Sequence, residues 1–230
     1  MVKNLIDKNI ISSEKTKLSN QFKIVAITFL VTVIPTSLVL LGFKLLNNTK
    51  PSFLTRDPAF LTNSPFYIGL FSNISILLWC ACVAICLFTC AILRDNKHYR
   101  ESSKFLLFSG LFTFFLMIDD FFLLHEEGFG LPLLGISEKL IYVSYILVTL
   151  LFLVKSSKFI KKTEFVVFLA ALVFLGLSLM SDALFGSYFI GKFEDIFKIA
   201  GISIWLTYYT RLCLREVGSI IRLSSANESF

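Results

Sequence analysis

The sequence predicts an all-α protein, a polytopic membrane bundle of six transmembrane helices with both termini in the cytoplasm. Two observations predict this class. Hydrophobic residues make up 56% of the 230 residues, and the mean hydropathy is +0.77, so the chain is more apolar than a soluble domain. Apolar stretches of about 20 residues, long enough to cross ~30 Å of hydrocarbon, also recur along the chain.

Six such stretches are the predicted spans, which we number one to six in chain order. They contain scattered Gly, Ser and Thr, as membrane helices do where their backbones approach closely. Together they form a transmembrane domain at 23–214, between a cytoplasmic tail at 1–22 and another at 215–230. We expect the first tail to be disordered rather than an amphipathic segment on the inner leaflet. The spans are 24–46, 66–93, 105–124, 139–154, 165–186 and 196–214.

The basic residues predict the orientation. If the N-terminus is inside, most of the 22 Lys and Arg residues fall in the tails and in the loops 94–104 and 155–164. Cytoplasmic segments carry such an excess, so we place both termini in the cytoplasm and the protein in the cell membrane, with the lipid bilayer as its partner. Because the bases are spread over the loops, the net charge of +6 predicts no nucleic-acid partner.

The cysteines favour helix packing over thiol chemistry. Cys82, Cys86 and Cys90 follow one another at four-residue spacing in span two, so they share one helix face. Buried thiols commonly act as small apolar packing residues. None of the five cysteines lies in a predicted outer loop, which excludes an extracytoplasmic disulfide framework.

Ionisable residues gather at the outer ends of three spans. The stretch FLMIDDFFLLHEEG, residues 115–128, places two adjacent carboxylates inside an apolar span. A charge buried alone in hydrocarbon costs at least a few kcal/mol, so these acids should be paired, protonated or bound to a metal. The residues at this level are Asp119, Asp120, His125, Glu126, Glu127, Asp182, Glu194 and Asp195.

Helical spacing gives spans three, five and six a polar edge each, because residues three, four or seven positions apart share a face. In hydrocarbon such edges are stable only when they face one another or a water-filled cavity. We therefore expect these spans to enclose an outward-opening, carboxylate-rich pocket, in which Lys198 pairs with Asp182 or Glu194. The edges are Ser109, Thr113, Asp120 and Glu127 in span three, Ser178 and Asp182 in span five, and Glu194, Lys198, Gly201, Trp205 and Tyr208 in span six.

The predicted pocket suggests three sets of site residues. Carboxylates and an imidazole suit general acid/base catalysis, and the catalytic candidates are Asp119, Asp120, His125 and Glu126. The candidates for substrate contact or ion pairing are Lys198, Trp205 and Tyr208. A divalent metal ion is a possible cofactor, with ligands brought together from different helices. The metal candidates are Asp120, Asp182, Glu194 and Asp195.

The run IDDFFLLHEE, residues 118–127, resembles a D-(D/E)-x4-H-E element of uncharacterised multi-pass bacterial membrane proteins. In those proteins a later helix also carries paired acids followed by a Gly, as EDIFKIAG does at 194–201. The resemblance implies a membrane helical bundle, and no activity is attached to it.

Three classes of function fit these residues. The first is metal-assisted or acid/base chemistry on a lipid-like or otherwise apolar substrate. The second is a cation- or proton-coupled transporter, which needs a polar route onward to the cytoplasm. The third is a structural or accessory membrane subunit whose acids form a buried ion-pair network. The chain contains no G-x-S-x-G, Walker A, H-E-x-x-H or G-x-G-x-x-G motif, so it offers no signature of those hydrolase, nucleotide-binding or zinc-protease sites.

Overall fold

The computed structural model describes residues 2–47, 50, 52–56, 58–65, 67–124, 135–185 and 191–228. This described part is 88% helical and contains no strand, which confirms the all-α class. The helices are α1 (Val2–Asn47), α2 (Ser52–Thr55), α3 (Pro58–Leu61), α4 (Leu70–Leu93), α5 (Arg100–Phe122), α6 (Glu138–Ile160), α7 (Phe165–Phe185) and α8 (Gly191–Glu228), with a 3₁₀ turn at Lys97–Tyr99 before α5.

The chain forms two compact units, Met1–Ile68 and Gly69–Phe230. The first contains α1, α2 and α3. Helix α1 already begins at Val2, so it continues through the segment that we expected to be a disordered tail. Helix α1 contains the apolar stretch Ser19–Leu46. No residue in the most apolar part of this stretch is buried. An apolar helix with this exposure is stable in lipid and not in water.

Four segments in the described part are long and apolar enough to cross a membrane: Ser19–Leu46, Leu70–Leu93, Lys97–Phe122 and Leu140–Ile160. They indicate a membrane protein and are compatible with a multi-pass one. Helix α7 supplies a shorter apolar stretch, Phe165–Ser181. Helix α8 is less apolar along its length because Lys198 and Arg211 interrupt it. The last two of the six predicted spans therefore remain predictions.

In the second unit the closest helix pairs are α7 with α8, α4 with α5, and α4 with α8. Small residues permit this approach. A Cβ atom added to Gly201 would lie 2.8 Å from Leu175 Cγ and 2.9 Å from the Leu175 backbone nitrogen, and one added to Gly110 would lie 2.9 Å from Leu87 Cδ2. Glycine allows close backbone contact of this kind in membrane helices.

The core of the second unit combines thiols with aromatic rings. Cys82 and Cys86 are fully buried, and Cys90 is nearly so, which confirms the prediction that these thiols pack the helix interface. The Trp205 indole lies 5.3 Å from the Phe168 ring and 5.2 Å from the Tyr209 ring, centroid to centroid. This core holds α8 against α4 and α7, and it fixes the side chains of the candidate site.

Candidate functional site

The centre of the candidate site is an ion pair between α5 and α8. The Lys198 Nζ atom donates a hydrogen bond to Asp120 Oδ1. The Asp120 side chain is only 7% exposed and the Lys198 side chain 26%. We expected Lys198 to pair with an acid of span five or six, but in the described residues its partner is on α5. The reason is that the polar edges of α5 and α8 face each other across the bundle.

Three further pairs continue this arrangement along the same two helices. Trp205 Nε1 donates to Thr113 Oγ1 at 3.1 Å, and Ser102 Oγ donates to Glu216 Oε2 at 2.8 Å. Between them the Tyr209 hydroxyl lies beside the Ser109 side chain without a hydrogen bond to any described residue, because Ser109 Oγ donates to the Phe105 carbonyl at 2.8 Å. We call these four pairs the polar ladder: Asp120 with Lys198, Thr113 with Trp205, Ser109 with Tyr209, and Ser102 with Glu216.

The polar ladder has one register throughout. Along α5 its members are seven, four and seven positions apart, and along α8 they have the same spacing in the opposite direction. Steps of four and seven residues keep a side chain on one face of a helix. The two helices are therefore antiparallel. Helices α5 and α8 approach each other less closely than the pairs α4–α5, α4–α8 and α7–α8 do. The long side chains of α8 therefore bridge the space between α5 and α8.

A cavity of about 290 Å³ opens beside the Asp120–Lys198 pair. All five long helices of the second unit line it, and most of the lining is aliphatic or aromatic. The charged lining residues of the described part are Asp119, Asp120 and Lys198. The hydroxyl groups belong to Ser178, Thr149, Tyr142 and Tyr145, and the aromatic walls also include Trp79, Phe112 and Trp205. The cavity is thus apolar with one strongly polar region.

The two carboxylates of this polar region have different surroundings. Asp119 interacts with the Tyr145 hydroxyl on α6. Asp120 gives one oxygen to Lys198, while its Oδ2 atom is buried and accepts no hydrogen bond from any described residue. A buried acceptor without a donor is unfavourable. The unused Asp120 oxygen is therefore a position in the cavity where a ligand hydrogen-bond donor would be stabilised.

Of the predicted site residues, the structure brings together Asp119, Asp120, Lys198 and Trp205 in the cavity lining. Tyr208 lies elsewhere: its hydroxyl is 2.8 Å from Thr163 Oγ1, in the α6–α7 loop. The difference comes from helical geometry. Tyr208 is ten residues after Lys198 and lies ~80° around the helix from it, whereas Tyr209, the eleventh residue, lies within ~20°. Tyr209 and not Tyr208 therefore continues the polar edge of α8.

Of the remaining predicted residues, only Asp195 has a described side chain, and it is exposed on α8. Asp182 and Glu194 belong to α7 and α8, but their side chains fall outside the described residues, as do His125, Glu126 and Glu127 altogether. Among the described side chains no group of three or more His, Cys, Asp or Glu could hold a metal ion. The metal site therefore stays a prediction that depends on acids outside this set.

Sequence reasoning missed the contribution of α6 and α4. Tyr142, Tyr145, Ile146 and Thr149 line the cavity from α6, at the spacing of one helix face. The predicted pocket comprises spans three, five and six, and span four, which contains no acid, is not among them. Trp79 of α4 also lines the cavity, so both tryptophans of the chain do.

A charged network surrounds the opposite end of the polar ladder. Arg215 donates to Glu216 Oε1 through Nε at 3.2 Å and Nη2 at 2.8 Å. Arg211 donates to Glu164, in the α6–α7 loop, through Nε at 2.6 Å and Nη2 at 2.5 Å. The Arg211 guanidinium lowers the pKa of Glu164 below its ordinary value. The Arg211–Glu164 contact attaches the loop to α8, and Arg215 holds the Glu216 carboxylate that accepts from Ser102 of α5.

Neither a curated protein nor a solved structure matches the chain. A family model described as a domain of unknown function, DUF8692, matches residues 24–212. The match includes three pairs of the polar ladder and ends before Glu216. It agrees with the resemblance to uncharacterised proteins, whereas the D-(D/E)-x4-H-E element itself stays a prediction. Because the match covers most of the 230 residues, the chain belongs to the DUF8692 family.

Proposed function

We propose that this protein is a multi-pass protein of the cell membrane that binds a lipid-like molecule in the cavity beside Asp120 and Lys198 and performs acid/base chemistry on it. In this proposal six spans cross the bilayer, both termini are cytoplasmic, and the cavity opens toward the outer leaflet. The apolar helices and the basic loops support this topology. A cavity reached from the bilayer selects for molecules that partition into lipid.

The observation that carries the proposal is the state of Asp120. Its side chain is 7% exposed, one oxygen accepts from Lys198, and the other has no donor among the described residues. A carboxylate held in this way is oriented, and it retains one oxygen for a substrate proton. At about 290 Å³ the cavity is near the lower limit of ordinary ligand pockets, so it suits a head group and the first part of a chain.

The surrounding residues have distinct proposed roles. Asp120 is the general base or hydrogen-bond acceptor, and Lys198 orients it. Asp119, next to Tyr145, is the second acid/base group. Trp205 is an apolar wall that the hydrogen bond to Thr113 holds in place. His125 and Glu126 join the site in this proposal only if the segment after α5 returns to the cavity.

Metal assistance is a narrower version of the same proposal. It requires Asp182, Glu194 or Asp195 to reach Asp120 and share a divalent ion. Metal analysis of the purified protein tests it against a variant with both Asp120→Asn and Asp182→Asn. Metal in the wild type and none in the variant supports this version, and equal, negligible metal in both removes it.

The polar ladder supports a second candidate, cation- or proton-coupled transport. Its four pairs place polar groups at successive levels from Asp120 to Glu216. However, seven residues of helix correspond to ~10 Å, and the interval between Ser109 and Ser102 contains the buried side chains of Phe105 and Leu106. Transport therefore needs water or motion at that level. Cation- or pH-driven flux in proteoliposomes, lost in Asp120→Asn, would favour this candidate over the first.

A structural role is the third candidate, and the same ladder supports it. In that case Asp120→Asn lowers stability and changes no binding. The experiment that separates this role from the leading proposal is extraction of bound amphiphiles from purified protein, followed by mass spectrometry. We expect one amphiphile enriched in the wild type and in the exposed control Asp95→Asn, and depleted in Asp120→Asn. Equal lipid content in all three proteins contradicts the proposed binding function.

A further inference from the structure

We propose that the head group recognised in the cavity is a cation, an amine or ammonium group on an apolar chain. This inference rests on the proposed function, since it names the class of molecule that the same cavity binds. The described charged residues of the lining are two carboxylates and one ammonium, Asp119, Asp120 and Lys198. Lys198 engages one oxygen of Asp120 and leaves the other to a ligand, and a cationic head group is the donor that a carboxylate binds most strongly.

Hydrogen bonding at Asp120 favours the same class. Its Oδ2 atom is buried and accepts nothing among the described residues, while its other oxygen is engaged by Lys198. An ammonium group supplies N–H donors, and a hydrogen bond between two charged groups is stronger than one between neutral groups. An alcohol also supplies a donor to this oxygen, but it carries no charge, so its hydrogen bond to the carboxylate is weaker.

An anionic head group is disfavoured by the same contacts. The only described cation in the lining, Lys198, is already bound to Asp120. A phosphate or sulfate would have to take Lys198 from that carboxylate and then face both acids at short range. Like charges in a low-dielectric cavity repel strongly. The site therefore discriminates against anionic lipids by charge.

The cavity walls fit an alkylammonium ion as well. Trp79, Trp205, Phe112 and Tyr145 line the space beside the acids, and aromatic faces attract cations, Trp most strongly. Leu116, Ile146 and Leu172 provide the apolar surface for the chain. Buried carboxylates, aromatic walls and an apolar floor together form a site for a lipophilic amine.

Both tryptophans of the chain line the cavity and are at most 4% exposed, so intrinsic Trp fluorescence reports on its occupancy. The experiment titrates the full-length protein, in nanodiscs of zwitterionic lipid, with three probes of equal chain length: decylammonium, 1-decanol and decyl sulfate. We expect saturable fluorescence changes with decylammonium, an affinity at least about tenfold weaker for 1-decanol, and no saturable change with decyl sulfate.

Two variants test the charge argument. Asp120→Asn removes the acceptor carboxylate, and Asp120→Asn combined with Lys198→Met removes it without leaving Lys198 unpaired, should the single variant fail to fold. Both should reduce the preference for decylammonium over 1-decanol to about twofold or less, whereas the exposed control Asp95→Asn should keep it. An unchanged preference in either variant, once folded, overturns the cation inference.

The three probes also separate this inference from the proposed function. Saturable binding of 1-decanol or decyl sulfate with equal or higher affinity than decylammonium overturns the cationic head group and leaves an amphiphile site. Saturable binding of none of the probes contradicts the cavity as a binding site and overturns both. A decylammonium preference that Asp120→Asn abolishes supports both.

Discussion

Lys198 on α8 pairs with Asp120 on α5 in the same register that pairs Glu216 with Ser102 at the far ends of these helices. A single register over four pairs means that α5 and α8 have one permitted offset. A slip of one residue would separate all four pairs at once. The polar ladder therefore specifies how these two helices align, and it thereby fixes the cavity beside Asp120.

The first prediction concerns the ion pair. Asp120→Asn leaves the partly buried Lys198 ammonium without its counter-charge, and should lower the free energy of unfolding by about 2 to 3 kcal/mol, below the cost of a fully buried pair because Lys198 keeps some exposure. Chemical unfolding in detergent micelles measures this change.

A double substitution completes that experiment. Asp120→Asn combined with Lys198→Met removes both charges, so it should recover most of the lost stability, because an apolar replacement of a buried pair is often nearly neutral. A double variant as unstable as the sum of its single variants would show that the two residues do not interact.

The second prediction concerns Thr113 and Trp205. Thr113→Val keeps the side-chain shape but removes the acceptor of the buried indole N–H. The unsatisfied donor should cost about 1 to 3 kcal/mol, and the Trp205 emission should shift. Thr113→Ser, which retains a hydroxyl group, is the matched control and should lie closer to the wild type. Equal stability of the two variants would contradict this hydrogen bond.

The third prediction compares two glycines of α8. A Cβ at Gly201 would meet the Leu175 backbone at 2.9 Å, whereas nothing lies within 4 Å of a Cβ at Gly218. Gly201→Ala should therefore separate α7 from α8 and destabilise the fold by about 1 to 3 kcal/mol. Gly218→Ala should be neutral or stabilise by up to about 1 kcal/mol, because Ala is the better helix former. Thermal unfolding of the two variants in parallel checks the difference.

The fourth prediction is a pH dependence at Glu164. Arg211 lowers the pKa of Glu164 below 4.5, so the unfolded chain binds this proton at higher pH than the folded one. The stabilisation is fully present above the unfolded pKa and is lost as pH falls through the lower folded pKa. Glu164→Gln should therefore melt below the wild type at neutral pH by a small margin, since both side chains are exposed.

Melting curves between about pH 7 and pH 3 measure the Glu164 effect, because this range includes the ordinary titration of Glu. The gap between wild type and Glu164→Gln should close toward the acid end. Asp95→Asn, at an exposed pair with a 3.8 Å separation, is the control and should show little difference at any pH. A gap that widens on acidification would contradict the assigned direction.

The sequence predicted the helical membrane class because residue composition and span length reflect a lipid environment. Neither depends on which helices are neighbours. It also predicted that Ser109, Thr113 and Asp120 share a face, since this follows from helical period alone. The partner of Lys198 required knowledge of which helices are neighbours, and span order does not supply it. The structure places α5 opposite α8, and hence Asp120 opposite Lys198.

Two other differences have local causes. Tyr209, and not Tyr208, lies on the polar edge of α8. Each three-residue step falls short of a full helical turn, so repeated steps rotate away from the original face. The α6 lining was missed because Tyr145 and its neighbours carry no charge, so a search guided by acids ignored them. The available signal was the spacing of the aromatic residues of α6, which places them on one helix face that can lie opposite a buried carboxylate.

The most direct test of the central claim is photo-crosslinking with an alkyl probe that carries a diazirine near its head group, followed by peptide mapping. If the cavity beside Asp120 and Lys198 binds an amphiphile, saturable labelling should fall on its lining residues Leu116, Ile146 and Leu172, and excess unlabelled amphiphile and Asp120→Asn should both abolish it. Labelling that is confined to exposed residues such as Phe88, and that resists competition, would contradict the account.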